Sequence, residues 1–248
     1  MNQKQIWDNI AEEWFEFKNK PSERITEFLA EQKGKVLDLG SGAGRHLMKI
    51  TDGEMYLVDF SKEMIKFAKQ RLKKLNKEIE EQNKNLDFTK PLAIPQRKRA
   101  GSHLKDEFIE GNCKIQKTKT ELKKEKIDAN FKVAPIYKIP YEDNFFDSAI
   151  CIATLHCVEK EKDREKTIQE LYRVLKPKAQ AKIVVWNKGA KRFKNAPKEK
   201  FVKWRNKGER YYYLYDEKEI HDLFKKAGFK IIKKWIPARQ ISFIVKKD

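Results

Sequence analysis

The stretch VLDLGSGAGRHL, residues 36–47, decides the fold of this 248-residue chain. An apolar run that is typical of a buried strand leads directly into three glycines, Gly40, Gly42 and Gly44. Glycine lets the backbone turn sharply and approach a ligand where any Cβ atom would collide. Nineteen residues after Gly40, Asp59 ends a second apolar run, MYLVDF. A carboxylate in that position can accept hydrogen bonds from both hydroxyls of a ribose, so the pattern predicts a strand–turn–helix unit with a ligand site.

Apolar periodicity predicts that strands and helices alternate along most of the chain and that two strands close it. Strands are predicted at residues 35–40, 55–60, 131–136, 145–156, 181–186, 229–235 and 241–247. Helices are predicted over residues 5–29 with a break near Pro21, from Lys62 behind the N-cap Ser61, over 163–175, and over 216–227 ahead of Gly228. We therefore expect an α/β fold: a Rossmann-like, doubly wound seven-stranded sheet with an antiparallel C-terminal strand pair.

Residues 78–131 interrupt this alternation, because they are polar, irregular and rich in lysine, glutamate and asparagine. We interpret them as a basic insertion, partly helical or partly disordered, within a single domain that spans residues 1–248. The insertion contains the basic stretch QRKR at 96–99, which either contacts a polyanion or has no role.

The chain carries a formal net charge of +19, with a pI of about 9.6 and 38% charged residues. Such an excess of cations predicts attraction to polyanions such as nucleic acid, although a proteome of generally basic proteins would produce the same figure. Three cysteines without a CxxC spacing indicate neither a disulfide framework nor a metal site. With no signal peptide and no apolar run of about 18 residues, we expect a soluble, cytoplasmic protein without a membrane segment.

The spacing of the three glycines separates two classes of nucleotide-binding turn. A nicotinamide dehydrogenase would show G-x-G-x-x-G, whereas here the third glycine follows after a single residue. The resulting D-L-G-S-G-A-G, led by Asp38, resembles motif I of the class I S-adenosylmethionine-dependent methyltransferases. The resemblance implies that the turn wraps the methionine part of S-adenosylmethionine. The cofactor-binding residues that it implies are Asp38, Gly40, Ser41, Gly42, Gly44, Asp59, Phe60, Ala134, Pro135, Ile136 and Ala153.

Five stretches resemble one family, the tRNA wobble-uridine carboxymethyl methyltransferases. They are IWDNIAEEW (6–14), AICIATLHCVEK (149–160), LYRVLKP (171–177), IVVW (183–186) and RYYYLYDEKEI (210–220). The resemblance covers nearly the whole chain outside the insertion, and its specific parts are A-I-C-I-A and R-Y-Y.

Several positions depart from the family's pattern. Pro135 stands where the superfamily often has an acidic residue for the adenine amine, so one side-chain contact is missing. Phe17-Lys18 replaces a Thr-Arg pair, Cys157 replaces a second histidine, and Arg239-Gln240-Ile241 replaces Gly-Asn-Trp. Lysine keeps the charge of arginine but loses its bidentate recognition of a carboxylate. The fold and the reaction type therefore transfer better than the exact substrate.

The family resemblance implies methyl transfer to a carboxylate on the 5-substituent of a uracil. A carboxylate is already ionised near pH 7, so the reaction needs alignment of the reacting atoms more than it needs a strong base. We expect Arg210 to anchor the carboxylate, and Tyr212 and His156 to orient the carboxylate or the base. Lys18 and Arg239 are further candidates for this catalytic site.

Each of these assignments has a structural alternative. His156 follows a core strand, where many histidines are structural, and Arg210 is also compatible with an ordinary surface charge. Tyr211 and Tyr213 alternate with Tyr212, so one face of this extended segment is expected to serve packing alone.

The segment WNKGAKRFKNAPKEKFVKWRNKGER, residues 186–210, holds ten lysines or arginines against two glutamates. Cations contact phosphates and interleaved aromatic rings can stack on unpaired bases, so 187–210 is predicted to bind substrate RNA. The predicted RNA-binding residues are Lys191, Arg192, Lys194, Lys203, Trp204, Arg205 and Lys207. The alternative is a solvated loop whose aromatic rings dock on the core.

Three functions remain open at this point. A methyltransferase of the tRNA anticodon loop accounts for both the glycine turn and the basic segment, whereas a methyltransferase of a quinone or a small carboxylic acid accounts for the turn alone. A non-catalytic RNA-binding protein with a decayed cofactor site would explain Pro135 but not the intact Asp38 and Asp59. The family resemblance also implies a partner, a small zinc-containing activator subunit that adds a strand to the sheet edge.

Overall fold

The computed structural model describes residues 2–86 and 123–248 of the chain. The strands are β1 (Lys33–Leu39), β2 (Thr51–Asp59), β3 (Ala129–Val133), β4 (Phe146–Ile152), β5 (Leu175–Trp186), β6 (Glu199–Lys203), β7 (Glu209–Tyr213), β8 (Phe229–Lys234) and β9 (Gln240–Lys247). The helices are α1 (Gln3–Phe17), α2 (Glu23–Ala30), α3 (Lys62–Lys84), α4 (Glu161–Val174) and α5 (Glu217–Lys226), with short 3₁₀ turns at Leu155–Cys157 and Lys191–Phe193.

Seven of these strands form one sheet in the order β3-β2-β1-β4-β5-β9-β8. The first five strands in this order run parallel, and β9 lies antiparallel between β5 and β8. Asp38 of β1 is level with Leu57 of β2 and with Ile150 of β4, so the carboxyl ends of these strands lie side by side. The predicted α/β fold, with its doubly wound seven-stranded sheet and antiparallel C-terminal strand pair, is confirmed.

The central strands are apolar on both faces because helices cover both sides of a parallel sheet. In β1, the four residues from Val36 to Leu39 are all buried, and β2 and β4 show similar buried runs. The main core is built from these strands together with α4 and α5, and its large fully buried side chains include Phe146, Phe224 and Phe243. The core therefore holds the strand ends in fixed positions at one edge of the sheet.

Local sequence signals explain where the helices begin and end. The Asn2 side chain accepts from the Gln5 N–H at 2.9 Å and Gln5 returns the bond, a capping box that starts α1. Ser61 Oγ accepts from the Met64 N–H at 3.1 Å and caps α3 as predicted. Gly228, at φ +99°, ends α5.

The structure differs from the sequence expectation beyond β4. The strand was predicted to run through residue 156, but it ends at Ile152 because Ala153 adopts φ +57° and turns the chain out of the sheet. His156 consequently lies on the 3₁₀ turn that follows and not at the end of the strand. The basic segment also contains a regular element that the periodicity did not predict, the antiparallel hairpin β6–β7.

The chain divides into two compact units, one of residues 1–73 and 127–248 and one of residues 74–126. β3 begins at Ala129, so the last residues of the predicted insertion 78–131 belong to the main sheet. The predicted basic contact at 96–99 lies outside the described residues.

The packing of β9 can be tested with a matched pair of phenylalanines. Phe243 is fully buried and its ring lies 5.2 Å from that of Phe224, whereas Phe201 on β6 is 56% exposed. Phe243→Ala should lower the free energy of unfolding by about 3–5 kcal/mol, because it leaves a cavity in the core, while Phe201→Ala should lower it by less than about 1 kcal/mol. Urea titration of both variants measures the difference, and equal losses would contradict this core assignment.

Candidate functional site

A cleft of about 420 Å³ opens where the carboxyl ends of β1, β2 and β4 meet. Parallel sheets bind ligands at this edge because loops and helix N-termini converge there. Side chains from α1, the glycine turn, the segment after β4 and the hairpin line it. They are Trp7, Trp14, Phe17, Lys18, Asp38, Gly40, Ser41, Gly42, Ala43, Arg45, His46, Asp59, Phe60, Met64, Ile152, Ala153, Thr154, His156, Cys157, Trp186, Arg192, Trp204, Arg210, Tyr212 and Gln240.

The glycine turn leaves room for a ligand at one position and is closed at another. Gly40 has φ +72°, and a Cβ there would lie 1.9 Å from Thr154 Cγ2. Gly42 has φ +53°, and a Cβ there would meet nothing closer than Trp14 Nε1 at 3.8 Å. Gly40 is therefore needed for close packing between strand ends, while Gly42 presents bare backbone to the open cleft.

Asp59 ends β2 and holds the glycine turn in place. One carboxylate oxygen accepts from the Gly42 N–H at 2.9 Å, and the other accepts from the Ser61 N–H at 2.9 Å. Burial raises the pKa of Asp59 to about 6 despite these bonds. Each carboxylate oxygen has a second lone pair, so Asp59 keeps the capacity to accept from a ligand.

Asp38 lines the cleft with a carboxyl group that is buried from solvent and has one oxygen without a hydrogen-bond partner in the described residues. Its side chain is 2% exposed, and Oδ2 has no hydrogen-bond partner among the described residues. Burial raises the pKa of Asp38 to about 7, the neighbouring Arg45 opposes this, and the charge of Asp59 adds to it. A cationic ligand group beside Asp38 would favour the carboxylate form.

Unpartnered buried polar atoms are concentrated in this cleft. Five of the nine such side-chain atoms in the described part of the chain belong to cleft-lining residues. They are Trp7 Nε1, Asp38 Oδ2, Ser41 Oγ, His46 Nε2 and Arg210 Nε. Because buried polar groups are nearly always paired, this concentration marks the cleft as a place that a polar ligand completes.

Some predicted cofactor residues do not line the cleft. Gly44, at φ +68°, packs against α3, where a Cβ would approach Ala68 Cβ to 3.0 Å. The Ala134 N–H donates to the Asp59 carbonyl at 3.0 Å, and Pro135 and the buried Ile136 follow it. The other predicted cofactor residues all line the cleft: Asp38, Gly40, Ser41, Gly42, Asp59, Phe60 and Ala153.

Arg210 enters the cleft from β7 and is 6% exposed. Its Nη1 donates to Tyr212 Oη at 2.5 Å, and it has no ion pair with a carboxylate in the described ranges. The guanidinium carbon lies 4.7 Å from the ring centroid of Trp204, 5.3 Å from that of Trp14 and 5.7 Å from that of Trp7. A buried arginine with aromatic neighbours and no acidic partner keeps its charge available for an anionic ligand.

Tyr212 and His156 lie together beside Arg210. The Tyr212 ring stacks on Trp186 with centroids 4.1 Å apart, and the His156 ring stacks on the same indole at 5.1 Å. His156 Nδ1 accepts from the backbone N–H of Trp186 at 3.1 Å, which leaves the proton of the imidazole on Nε2. Burial lowers the pKa of His156 to about 3, and burial raises the pKa of Tyr212, so both groups are neutral near pH 7.

The two remaining catalytic candidates occupy different positions. Lys18 lines the cleft and lies 4.7 Å from the Phe17 ring; burial, Arg45 and Arg210 lower its pKa. Arg239 is exposed and does not line the cleft. The pKa of Arg192 is lowered mainly by burial, and the charge of Arg239 lowers it further. The structure therefore brings Lys18 to the site and leaves Arg239 at its margin.

The predicted RNA-binding residues divide into two groups. Glu13 of α1 accepts from Trp204 Nε1 at 2.6 Å and pairs with Arg205 at 3.2 Å and Lys207 at 3.1 Å. The other group is exposed on the segment before and within the hairpin: Lys191, Arg192, Lys194 and Lys203.

Two residues of this exposed group have contacts of their own. Arg192 also lines the cleft, 4.5 Å from the Trp186 ring. Lys203 lies 3.9 Å from Glu209.

Sequence reasoning missed several cleft residues. Trp7 and Trp14 lie within IWDNIAEEW and Trp186 within IVVW, two stretches that resemble the family, but no site role was assigned to these tryptophans. Arg45 directly follows Gly44 and Thr154 directly follows Ala153, so their closeness in sequence to predicted ligand residues was the signal that could have found them.

Two features are absent from the residues that the structure describes. No cluster of three or more histidine, cysteine, aspartate or glutamate side chains could hold a metal ion there. In the same ranges, no helix combines the length and the apolar character that crossing a membrane requires.

Comparison with known sequences identifies the family. The methyltransferase-domain family matches residues 10–234. A tRNA (carboxymethyluridine(34)-5-O)-methyltransferase of Arabidopsis thaliana is 46% identical over 54 residues, which are 22% of this chain and 13% of that protein. A protein of Encephalitozoon cuniculi that is named as a methyltransferase is 28% identical over 106 residues, 39% of this chain and 50% of that protein. The chain thus spans half or less of the curated relatives it matches.

Comparison with solved structures supports the same fold. A methyltransferase of Haloferax volcanii in complex with the Trm112 methyltransferase activator is 13% identical, with a TM-score of 0.60 over 99% of this chain and 97% of that one. A S-adenosylmethionine-dependent methyltransferase of Methanosarcina mazei is 18% identical, with a TM-score of 0.59 over 92% of this chain and 98% of that one.

The predicted resemblance to class I methyltransferases is confirmed by the family match and the sheet order. The open backbone at Gly42 and the unpaired oxygen of Asp38 fit a cofactor with a cationic head. The chain belongs to the methyltransferase-domain family and has the fold of the S-adenosylmethionine-dependent methyltransferases.

Proposed function

We propose that this protein methylates the carboxylate of a 5-carboxymethyl-type wobble uridine in the tRNA anticodon loop. The observation that carries the proposal is the buried Arg210, which lies in the cleft among indole rings without an acidic partner in the described residues. The short match to the Arabidopsis thaliana carboxymethyluridine methyltransferase supports the same substrate class. Such an enzyme would act on tRNA in the cytoplasm.

The cofactor half of the cleft is assigned to the glycine turn and its two carboxylates. Gly42 and Ser41 would contact the methionine part, Asp38 its α-ammonium group, and Asp59 the ribose hydroxyls. When bound, S-adenosylmethionine supplies a methyl group whose carbon–sulfur bond breaks, with the electron pair staying on sulfur, as a carboxylate oxygen forms the new carbon–oxygen bond. No proton has to be removed from an ionised carboxylate, which agrees with the low pKa of His156.

The acceptor half is assigned to Arg210, Tyr212 and His156. Arg210 would bind one oxygen of the acceptor carboxylate and leave the other as the nucleophile. Tyr212 Oη accepts from Arg210 Nη1, so its own hydrogen remains to be donated to the acceptor. Neutral His156 would donate from Nε2 to the acceptor or its base without adding charge. Lys18 adds a further cation at the cleft mouth, and Arg239 is proposed only to raise the local positive potential.

The exposed basic residues before and within the hairpin are assigned to the RNA backbone. Lys191, Lys194 and Lys203 are exposed, and Arg192 lies between this surface and the cleft. Phosphate contacts by such residues position a loop, while an unstacked base can enter the cleft. Arg205 and Lys207, whose charges are paired with Glu13, would contribute less to RNA binding.

A small zinc-containing activator subunit is proposed as the partner. The seven-stranded sheet has two edges, β3 and β8, and each carries an exposed apolar residue, Val133 and Ile232. The Haloferax volcanii neighbour was solved with its Trm112 activator, which supports a partner of this type. The proposal predicts low activity of the purified chain alone and fails if the chain alone reaches the full rate.

The central test is a methyl-transfer assay on bulk tRNA with labelled cofactor, followed by mass spectrometry of the nucleosides. We expect label in a base-labile methyl ester of a 5-substituted uridine. Label only in quinones or small carboxylic acids would favour a small-molecule methyltransferase instead. Absence of cofactor binding by calorimetry, even with the activator present, would contradict every enzymatic function.

Arg210 can be tested by two substitutions with different chemistry. Arg210→Ala removes the proposed carboxylate anchor and should reduce methyl transfer by roughly 100-fold or more, while S-adenosylmethionine binding changes little. Arg210→Lys keeps the charge but loses the planar donors, so an intermediate loss is expected. Single-turnover rates and calorimetry separate the two effects, and unchanged rates in Arg210→Ala would remove this residue from the site.

The raised pKa of Asp38 predicts a pH dependence of cofactor binding. In the free chain its pKa is about 7, and pairing with an α-ammonium group favours the ionised form. The affinity for S-adenosylmethionine should therefore fall by up to roughly tenfold per unit as the pH drops from about 7 towards 5.5. In Asp38→Asn the affinity should be weak throughout, and the fall that starts near pH 7 should be lost, which leaves only the weaker dependence of Asp59, whose pKa is about 6. A flat profile in the wild type, measured by calorimetry, would contradict the assignment.

The raised pKa of Asp38 also predicts how the substitution Asp38→Asn changes the free energy of unfolding. Burial raises its folded-state pKa above the unfolded value, so the stability contribution present at acid pH is lost as the pH rises through about 7. At pH 8, Asp38→Asn should therefore raise the free energy of unfolding of the free chain by roughly 1–3 kcal/mol. Asp52→Asn, at the exposed start of β2, is the matched control and should change little. Destabilisation by Asp38→Asn at pH 8 would show that its ionised form is not strained by burial.

A further inference from the structure

Arg210 is surrounded by aromatic rings in a way that its role as a simple anchor does not require. Trp7, Trp14 and Trp204 contribute indole rings whose centroids lie between 4.7 and 5.7 Å from the guanidinium carbon. Trp14 makes edge contacts with both other indoles, at 5.3 Å to Trp7 and 5.4 Å to Trp204. We call these three residues the indole cage.

The indole cage places aromatic rings beside Arg210, which has no ion pair with a carboxylate of the described residues. An aromatic face attracts a guanidinium through its quadrupole but carries no net charge, so the cation is stabilised without being neutralised. A buried arginine paired with an aspartate or glutamate would instead present a neutral pair to a ligand. The cage thus preserves a full positive charge in a site from which most solvent is excluded.

An acidic residue that touches the cage, Glu13, forms no ion pair with Arg210. Glu13 accepts from Trp204 Nε1 at 2.6 Å on the indole edge. The same carboxylate pairs with Arg205 at 3.2 Å and with Lys207 at 3.1 Å. Glu13 therefore fixes the orientation of the Trp204 ring, while two other cations satisfy its charge.

We propose that the indole cage makes the Arg210 subsite selective for an anionic acceptor over the neutral methyl ester that transfer produces. Trp7, Trp14 and Trp204 are positioning residues that act through Arg210. This inference rests on the proposed function. Transfer converts a carboxylate and a sulfonium into a neutral ester and a neutral thioether, so the reaction removes the negative charge that Arg210 binds. The loss of that charge favours release of the product, because the buried guanidinium is left without an anionic partner.

The test measures binding of a matched pair of probes to the full chain saturated with S-adenosylhomocysteine. The probes are 5-carboxymethyluridine and its methyl ester, which differ by one methyl group and by one negative charge. We expect the wild type to bind the acid at least about tenfold more tightly than the ester. Equal affinities, or no measurable binding of either probe, would overturn the proposal.

Substitutions of Trp204 separate the cage from the rest of the fold. Trp204→Phe keeps an aromatic face and should retain most of the preference for the acid. Trp204→Leu removes the face and should reduce the preference about fivefold or more, and Trp204→Glu supplies a competing carboxylate and should abolish it. A merely structural role would weaken acid and ester equally, so an unchanged ratio of affinities in Trp204→Leu and Trp204→Glu would overturn the role of the cage.

Trp235→Leu is the matched control. The Trp235 ring also lies near cations, 4.5 Å from Lys182 Nζ and 5.1 Å from Lys233 Nζ, but it does not line the cleft. This variant should keep the wild-type ratio, and a loss of preference as large as in Trp204→Leu would count against the cage.

The two proposals fail in different ways. A tenfold preference for the acid without methylation of tRNA would reject the tRNA substrate and support the inference. Methylation of tRNA with equal binding of acid and ester would support the substrate and reject the inference.

Discussion

The close contact between the ends of β1 and β4 is the constraint on which the site depends. The Gly40 N–H donates to the Val58 carbonyl at 2.7 Å, and Thr154 Oγ1 donates to the Gly40 carbonyl at 3.0 Å. No side chain fits between Gly40 and Thr154, so three neighbouring strand ends meet without a gap. The glycine turn is therefore pinned at its first residue and open at Gly42, and the cleft takes its shape from this difference.

Helix α1 connects the two halves of the cleft. Asp8 accepts from Ser61 Oγ at 2.6 Å and from the Glu63 N–H at 3.3 Å, beside the glycine turn. At the other side, the Gln3 side chain donates to the Glu209 carbonyl at 3.1 Å and accepts from the Tyr211 N–H at 2.9 Å. One short helix thus fixes the distance between the carboxylates assigned to the cofactor and the arginine assigned to the acceptor.

Local signals in the sequence were sufficient for the sheet and for the glycine turn. The strand ending at Leu39, the cap at Ser61 and the stop at Gly228 depend on neighbouring residues, and all three were predicted within a residue or two. The end of β4 was misplaced because Ala153 leaves the sheet at a positive φ, a conformation that an alanine in the sequence does not predict. The hairpin β6–β7 was missed because its first strand, EKFVK, lies within a lysine-rich run that resembles a solvated segment.

The sequence by itself determined the family and the fold class, and seven of the eleven cofactor residues that it predicted line the cleft. These predictions follow from short-range patterns of apolar residues and glycines. Only the tertiary structure decided the surroundings of Arg210. Trp7 and Trp14 come from the first helix and Trp204 from the turn of a hairpin, almost two hundred residues later. No periodicity links positions that far apart, and whether an arginine meets a carboxylate or an indole depends on how these elements pack. That packing leaves Arg210 charged, buried and without an acidic partner among the described residues.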